Sequence, residues 1–294
     1  MIGYRISRRD LERWIEAAVP GWLARAALRT AEFKSHGEYQ ESSTIWSEVK
    51  AVYMKLQGES KCAFCERKLE SVEFGKGEQA VEHFRPKGNI KPWKLPAGLT
   101  AAGVALATPP AKKGGYFLLA YDLFNYSAAC NPCNSALKRD YFPVAKAHTL
   151  DGDCPEKLAG EQPLLLYPIG DFDDNPEDLI RFHGMSPQPV SASGHARYRA
   201  LVTIEFFQLD SPRRKNLTRE RVVVIVGLYY ALETLTANGS PARKAQAKEI
   251  VDGFTSPEAP HANCARSFCA LHAKDQAEAA RVLDGALRLL QSIS

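Results

Sequence analysis

Apolar and polar positions alternate with a helical period through the first part of the chain. In "TIWSEVKAVYMKL", Ile45, Val49, Val52 and Leu56 recur at spacings of three and four, which gives a helix one apolar face. Ser43 or Thr44 is the predicted N-cap. Residues 1–57 therefore read as a helical segment that delivers the chain to Cys62. The period disappears across 88–115, "GNIKPWKLPAGLTAAGVALATPPAKKGG", which predicts a long loop. A loop of that length is uncommon unless it serves a function or is disordered. Apolar and aromatic residues return in "GYFLLAYDLFNYSAAC". Between 150 and 200, frequent Pro, Gly and Asp predict turns and short strands laid over a core. From "ARYRALVTIEFFQLD" onward helices dominate, among them "RRKNLTRERVVVIVGLYYALETL" and "AKDQAEAARVLDGALRLLQSI". No internal repeat is visible. The fold class expected is α+β, with a compact unit over 58–148 and a mostly helical region over 149–294.

Composition narrows this little. The 294 residues can bury a substantial core, and 45% hydrophobic with 24% charged residues excludes wholesale disorder. A net charge of +4 permits an acidic partner without requiring one. The first twenty residues are amphipathic and charged and lack a leader pattern. No apolar run reaches the roughly 18 residues a membrane span needs. The expectation is a soluble, cytoplasmic protein without membrane contact.

Cysteine placement is more informative. Of seven cysteines, four fall in two CxxC pairs, Cys62/Cys65 in "CAFC" and Cys130/Cys133 in "CNPC". Without an export signal this favours metal over disulfides. Four thiolates can close a tetrahedral Zn²⁺ site, and a closed site of that kind is structural. The wide separation of the pairs means that zinc would clamp the two ends of an inserted unit.

Chemistry-bearing residues lie between and beside the clamps: Glu82 and His83 in "VEHFRPK", Asn125 in "LFNYSAAC", and Asn134 with Lys138 in "CNPCNSALK". This order resembles the HNH, or ββα-metal, endonucleases, with His83, Asn125 and Asn134 in the three motif positions. More of the chain, roughly 45–225, looks like the HNH nuclease of Septu and retron-associated anti-phage systems. The resemblance implies a zinc-clamped ββα-metal unit within a helical chain and hydrolysis of nucleic acid, DNA by default and RNA as a second possibility. It also implies a partner ATPase, with the C-terminal half as the place for that interface.

Phosphodiester hydrolysis needs an activated water, a cation on the phosphate and relief of charge on the departing oxygen. His83 titrates near neutrality and can take the water's proton. Glu82 and Asn134 offer oxygen ligands suited to Mg²⁺ or Mn²⁺. Adjacent strand residues point to opposite faces, so Glu82 and His83 converge only where the strand bends or ends, and Pro86 is consistent with an ending there. The resemblance gives Asn125 the role of holding His83 through backbone hydrogen bonds. Arg85, Lys87, Lys138 and Arg139 are candidate phosphate contacts, or else a solvated basic edge. The competing functional reading is a zinc-stabilised nucleic-acid- or protein-binding module without catalysis, which would have no need of Glu82, His83 and Asn134 together.

Other signals are weaker. Asp171–Asp178, "DFDDNPED", lacks EF-hand spacing and reads as a solvated acidic turn. Cys264, Cys269 and His272 read as packing. "SPRRKNLTRER" reads as the wet start of a helix with Ser211 as N-cap and Leu217, Val224 and Leu228 on its inner face. His36, His148, His183, His195 and His261 have no partner identifiable from the sequence.

Overall fold

The computed structural model describes residues 1–106 and 111–293. Two helices open the chain, α1 (Arg8–Ala18) and α2 (Trp22–His36), with the Ser7 side chain accepting the Asp10 amide at the start of α1. The helix marked by the Ile45–Leu56 spacing forms as a tight turn, Trp46–Val49, continuing into α3 (Lys50–Leu56). Neither Ser43 nor Thr44 caps it. Its entry is pinned from a distance: the Trp22 indole donates to the Ile45 carbonyl at 3.0 Å, and the Ile45 amide donates to the Tyr121 hydroxyl at 3.2 Å. These tertiary bonds fix the residue from which the helix starts, without capping its first free amides.

Strand β1 (Gln79–His83) pairs antiparallel with β2 (Tyr126–Cys130), in register from Gln79 opposite Cys130 to His83 opposite Tyr126. All of β2 is buried, because α3 packs on the hairpin as well. The long segment between the strands departs from the expected loop over 88–115. Ile90 and Lys112 exchange backbone hydrogen bonds at 2.8 and 3.0 Å, and a short helix, α4 (Ala97–Ala101), interrupts it. Residues 107–110 of that stretch lie outside the described residues. Its base is closed by Gly115, where an added Cβ would fall 1.5 Å from the Gly88 carbonyl oxygen at a φ of +49°. Only glycine fits so close a backbone crossing.

In the second half, α5 (Pro176–Leu179) leads into the antiparallel pair β3 (Ile180–His183) and β4 (Ser186–Pro189). Helices α6 (Gly194–Phe206), α7 (Lys215–Thr236), α8 (Pro241–Thr255), α9 (Ala262–Lys274) and α10 (Gln276–Ile293) follow. Helix α7 is central and lies against α8, α9 and α10, with Leu217, Val224 and Leu228 buried. It opens at Lys215, later than the Ser211 cap predicts, because the Ser211 hydroxyl accepts the Arg213 amide at 3.3 Å in the preceding turn. The loop 88–106 docks on α6: Arg197 donates to the Ala102 carbonyl at 2.8 Å and Tyr198 to the Gly103 carbonyl at 3.1 Å.

Aspartates 173 and 174 are not merely solvated. Both pair with the buried Arg199, at 2.7 and 2.6 Å. Cys264 donates to the Gly184 carbonyl and His272 meets Glu233 at 2.8 Å, which is packing chemistry. His261 meets Glu220, His183 meets Glu278, and a His148 ring nitrogen meets the Phe142 carbonyl. Residues from every part of the chain, including Trp22, Phe64, Tyr126, Phe207 and Phe268, belong to one continuous apolar core. Among the described residues no helix is long and apolar enough to cross a membrane.

Candidate functional site

The β1–β2 pair brings the two CxxC turns together. The sulfurs of Cys62, Cys65, Cys130 and Cys133 all lie within 4.8 Å of one another and all four residues are buried. A regular tetrahedron of zinc–sulfur bonds near 2.3 Å has sulfurs about 3.8 Å apart, and Cys65 and Cys130 are separated by 3.8 Å. A disulfide would hold them at about 2.05 Å. Backbone hydrogen bonds fix the turns: the Ala63 amide donates to the Ala128 carbonyl at 3.0 Å, and the Cys130 amide to the Cys62 sulfur at 3.4 Å. Hydrogen bonds from neighbouring thiols pull the Cys65 and Cys130 thiols down, and burial pushes the Cys62 thiol up. The donor set, its spacing and its burial fit Zn²⁺, which would hold all four as thiolates.

Close to this centre, the end of β1 opens into a cavity of about 410 Å³ lined by Tyr39, Trp46, Glu82, His83, Lys87, Asn134, Arg139 and Asp140, among others. Glu82 and His83 both reach it because the strand stops at His83. Beyond it the Phe84 amide donates to the Asn125 carbonyl at 2.8 Å, the chain bends at Phe84 and Arg85, and the Pro86 carbonyl accepts the Tyr116 amide at 2.8 Å.

His83 is tightly framed. Its Nε2 lies 3.1 Å from the Ala120 carbonyl oxygen. A carbonyl only accepts, so Nε2 carries the proton and Nδ1 keeps its lone pair. The rings of Trp46 and Tyr126 stand nearly perpendicular to the imidazole, at centroid distances of 4.9 and 5.0 Å. Burial pushes the His83 pKa well below its ordinary value, and the charges of Lys87 and Lys138 act in the same direction. The ring is therefore neutral at pH 7, the state a general base requires.

Glu82 faces Lys138, with Nζ 3.3 Å from Oε1 and both side chains buried. Burial pushes the Glu82 carboxyl up to about 7, against the pull of Lys138. Burial likewise lowers the Lys138 ammonium, against the pull of Glu82. Asn134 sits half-buried in a wide, π-type helical turn, Pro132–Lys138, that follows β2. That turn opens at Pro132, two residues ahead of Asn134. Asn125 is fully buried. Its Oδ1 accepts the Arg85 amide at 2.7 Å, and its Nδ2 donates to the carbonyls of Arg85 and Leu119, both at 3.0 Å. It thus ties the chain just after His83 to the segment that presents the Ala120 carbonyl.

The four expected basic contacts divide into two pairs. Lys87 and Arg139 border the cavity, and the Lys87 ammonium lies 4.2 Å from the Trp46 ring centre and 5.3 Å from that of Tyr39. Arg85 turns away: it is 2% exposed and its Nε lies 3.3 Å from a carboxylate oxygen of the buried Glu161. Lys138 is held inside by Glu82. Burial of these two in ion pairs leaves neither on the wet basic edge that the sequence suggests.

Sequence reasoning missed Tyr39, Trp46 and the Ala120 carbonyl. Trp46 did leave a trace, since it lies off the Ile45–Leu56 stripe and a large aromatic there needs a partner elsewhere. A backbone carbonyl leaves none.

The fold and site define a mixed helix-and-sheet protein with a four-cysteine centre that could bind zinc, beside a cavity holding a neutral histidine, a carboxyl and an amide. Among proteins of known designation, the chain is similar to the Septu protein PtuB of Bacillus mycoides (strain KBAB4), with 29% identity over 129 residues. That match takes in 44% of this chain and only 37% of the relative's length. No family model matches the chain, and no solved structure does.

Proposed function

We propose that the chain is a metal-dependent HNH-type endonuclease, the nuclease effector of a Septu-like anti-phage system acting in the cytoplasm with a partner ATPase. The observation that carries this reading is the meeting of the neighbours Glu82 and His83 with Asn134, which is distant from them in sequence, in one cavity. His83 takes the proton of the attacking water at Nδ1, its ring oriented by the Ala120 carbonyl and the flanking aromatic rings. Glu82 and Asn134 are the oxygen donors for Mg²⁺ or Mn²⁺, which when bound supplies positive charge to the phosphate and the departing oxygen. Lys87 and Arg139 sit where phosphate oxygens of DNA, or of RNA, would enter. The Septu relative supports the defence role and, through it, the partner.

One observation favours a second reading. Lys138 already neutralises Glu82 without a divalent ion, as a zinc-stabilised binding module without catalysis would arrange it. The test is plasmid and single-stranded RNA cleavage in Mg²⁺ or Mn²⁺, with and without the product of any adjoining ATPase gene. Wild type is expected to cut and His83→Ala to be inactive with an unchanged zinc content, whereas Cys130→Ser loses zinc. Equal cutting by wild type and His83→Ala would remove His83 from the mechanism. Binding of nucleic acid without cutting, even with the partner present, would favour the module.

A further inference from the structure

Four thiolates around one Zn²⁺ leave a net charge of −2 in a buried place, which is costly unless neighbouring groups offset it. The amide of Cys130 supplies a dipole at 3.4 Å from the Cys62 sulfur. A full positive charge comes from further along the chain. Arg214 Nη1 lies 3.6 Å from the Cys133 sulfur, and the same nitrogen donates to the Phe207 carbonyl at 2.7 Å. Phe207 in turn stacks its ring on Phe64, inside the first CxxC turn, at 4.1 Å and 12°. The connection between α6 and α7 is thus folded back onto both turns, with its aromatic end on one and its cationic end on the other. Among the described residues no other lysine or arginine donates to these sulfurs. Lys61, next to Cys62, gives its ammonium to the Ala259 carbonyl instead, and Arg221 gives its guanidinium to the carbonyls of Met185 and Leu209.

We infer that Arg214 is a positioning residue of the zinc centre: it offsets the charge on the Cys133 sulfur and ties the helical region to the clamp through the metal. The inference rests on the four cysteines holding zinc, but not on nuclease activity. Zinc retention and the order of the 207–214 connection are then linked, so loosening either weakens the other.

The test uses the full-length, zinc-loaded protein and two readouts independent of cleavage. One is the rate and extent of zinc transfer to a chromogenic chelator. The other is the sulfur-to-metal charge-transfer band after replacement of zinc by Co²⁺. Loss of such outer partners costs about 10–100-fold in metal affinity elsewhere, so Arg214→Gln is expected to weaken zinc retention at least about tenfold and to shift the Co²⁺ band. Arg214→Lys keeps the charge and should recover part of the loss, and it also serves if Arg214→Gln folds poorly. The exposed neighbour Arg213→Gln should match wild type in both measurements. Wild-type zinc retention in Arg214→Gln, or no recovery in Arg214→Lys, would overturn the inference. Absence of zinc from well-folded wild type would remove the metal reading beneath it, a result the wild-type metal content reports separately.

Discussion

Asn125 offers the sharpest test of how the site is held. Its side chain is buried and all its capacity goes to backbone: the Arg85 amide, the Arg85 carbonyl and the Leu119 carbonyl. Asn125→Ala removes these partners from the Arg85 amide and carbonyl where water does not reach them, while the Leu119 carbonyl keeps the Asp122 amide at 3.2 Å. An ordinary hydrogen bond contributes about 1 kcal/mol net, and a stranded buried group costs about 1–3 kcal/mol. The Arg85 amide loses its partner outright, while each carbonyl loses one acceptance, so the total comes to about 3–5 kcal/mol. Against a typical domain stability of about 5–15 kcal/mol, the variant should still fold at low temperature with a lowered urea midpoint. With a urea slope of roughly 2–3 kcal/mol per molar, the midpoint falls by about 1 M or more. Urea unfolding of zinc-loaded protein followed by tryptophan fluorescence measures this. Zinc content should not change, because Asn125 touches no cysteine. A loss below about 1 kcal/mol would refute the reasoning, since it would mean that the three backbone groups find other partners. Asn125→Asp supplies the sign. The new carboxyl keeps the Arg85 amide but faces two carbonyls, so burial raises its folded pKa above the unfolded value of roughly 4. Stability relative to wild type is then best at low pH and is lost as pH rises through that raised value.

Two further outcomes follow from the cavity. Because burial pushes the Glu82 carboxyl up to about 7, a proton competes with the divalent ion below that pH. Mn²⁺ titration of His83→Ala protein should show affinity falling about tenfold per pH unit below 7 and levelling above it, and a flat profile from pH 5 to 8 would exclude Glu82 as a ligand. Lys87→Ala and Arg139→Ala should each reduce the salt slope of nucleic-acid binding by about one while leaving thermal stability near wild type. Arg85→Ala should instead lower stability by about 3–5 kcal/mol, because it leaves the buried Glu161 carboxylate without a counter-charge, held only by the Tyr116 hydroxyl and the Thr149 amide, as an unfolding curve would report.

Sequence by itself determined the pairing of two CxxC turns and the helices of the second half, while Glu82, His83, Asn125 and Asn134 stood out only through the resemblance. The turns and the helices were legible because their signals are local: a CxxC spacing dictates a turn, and a 3.6-residue period dictates a face. The fate of Arg85 and Lys138 was not legible, since a basic residue in a motif looks the same whether it meets solvent or a buried Glu161 or Glu82 carried by another segment. Nor was the anchoring of Ile45 at the start of the Trp46–Leu56 helix, which Trp22 and Tyr121 supply from elsewhere in the chain. Tertiary structure alone decided that Trp46 and the Ala120 carbonyl frame the imidazole, and which ring nitrogen stays free. Proton position depends on an acceptor contributed by a distant backbone group, and no pattern of side chains along a sequence encodes where that group arrives.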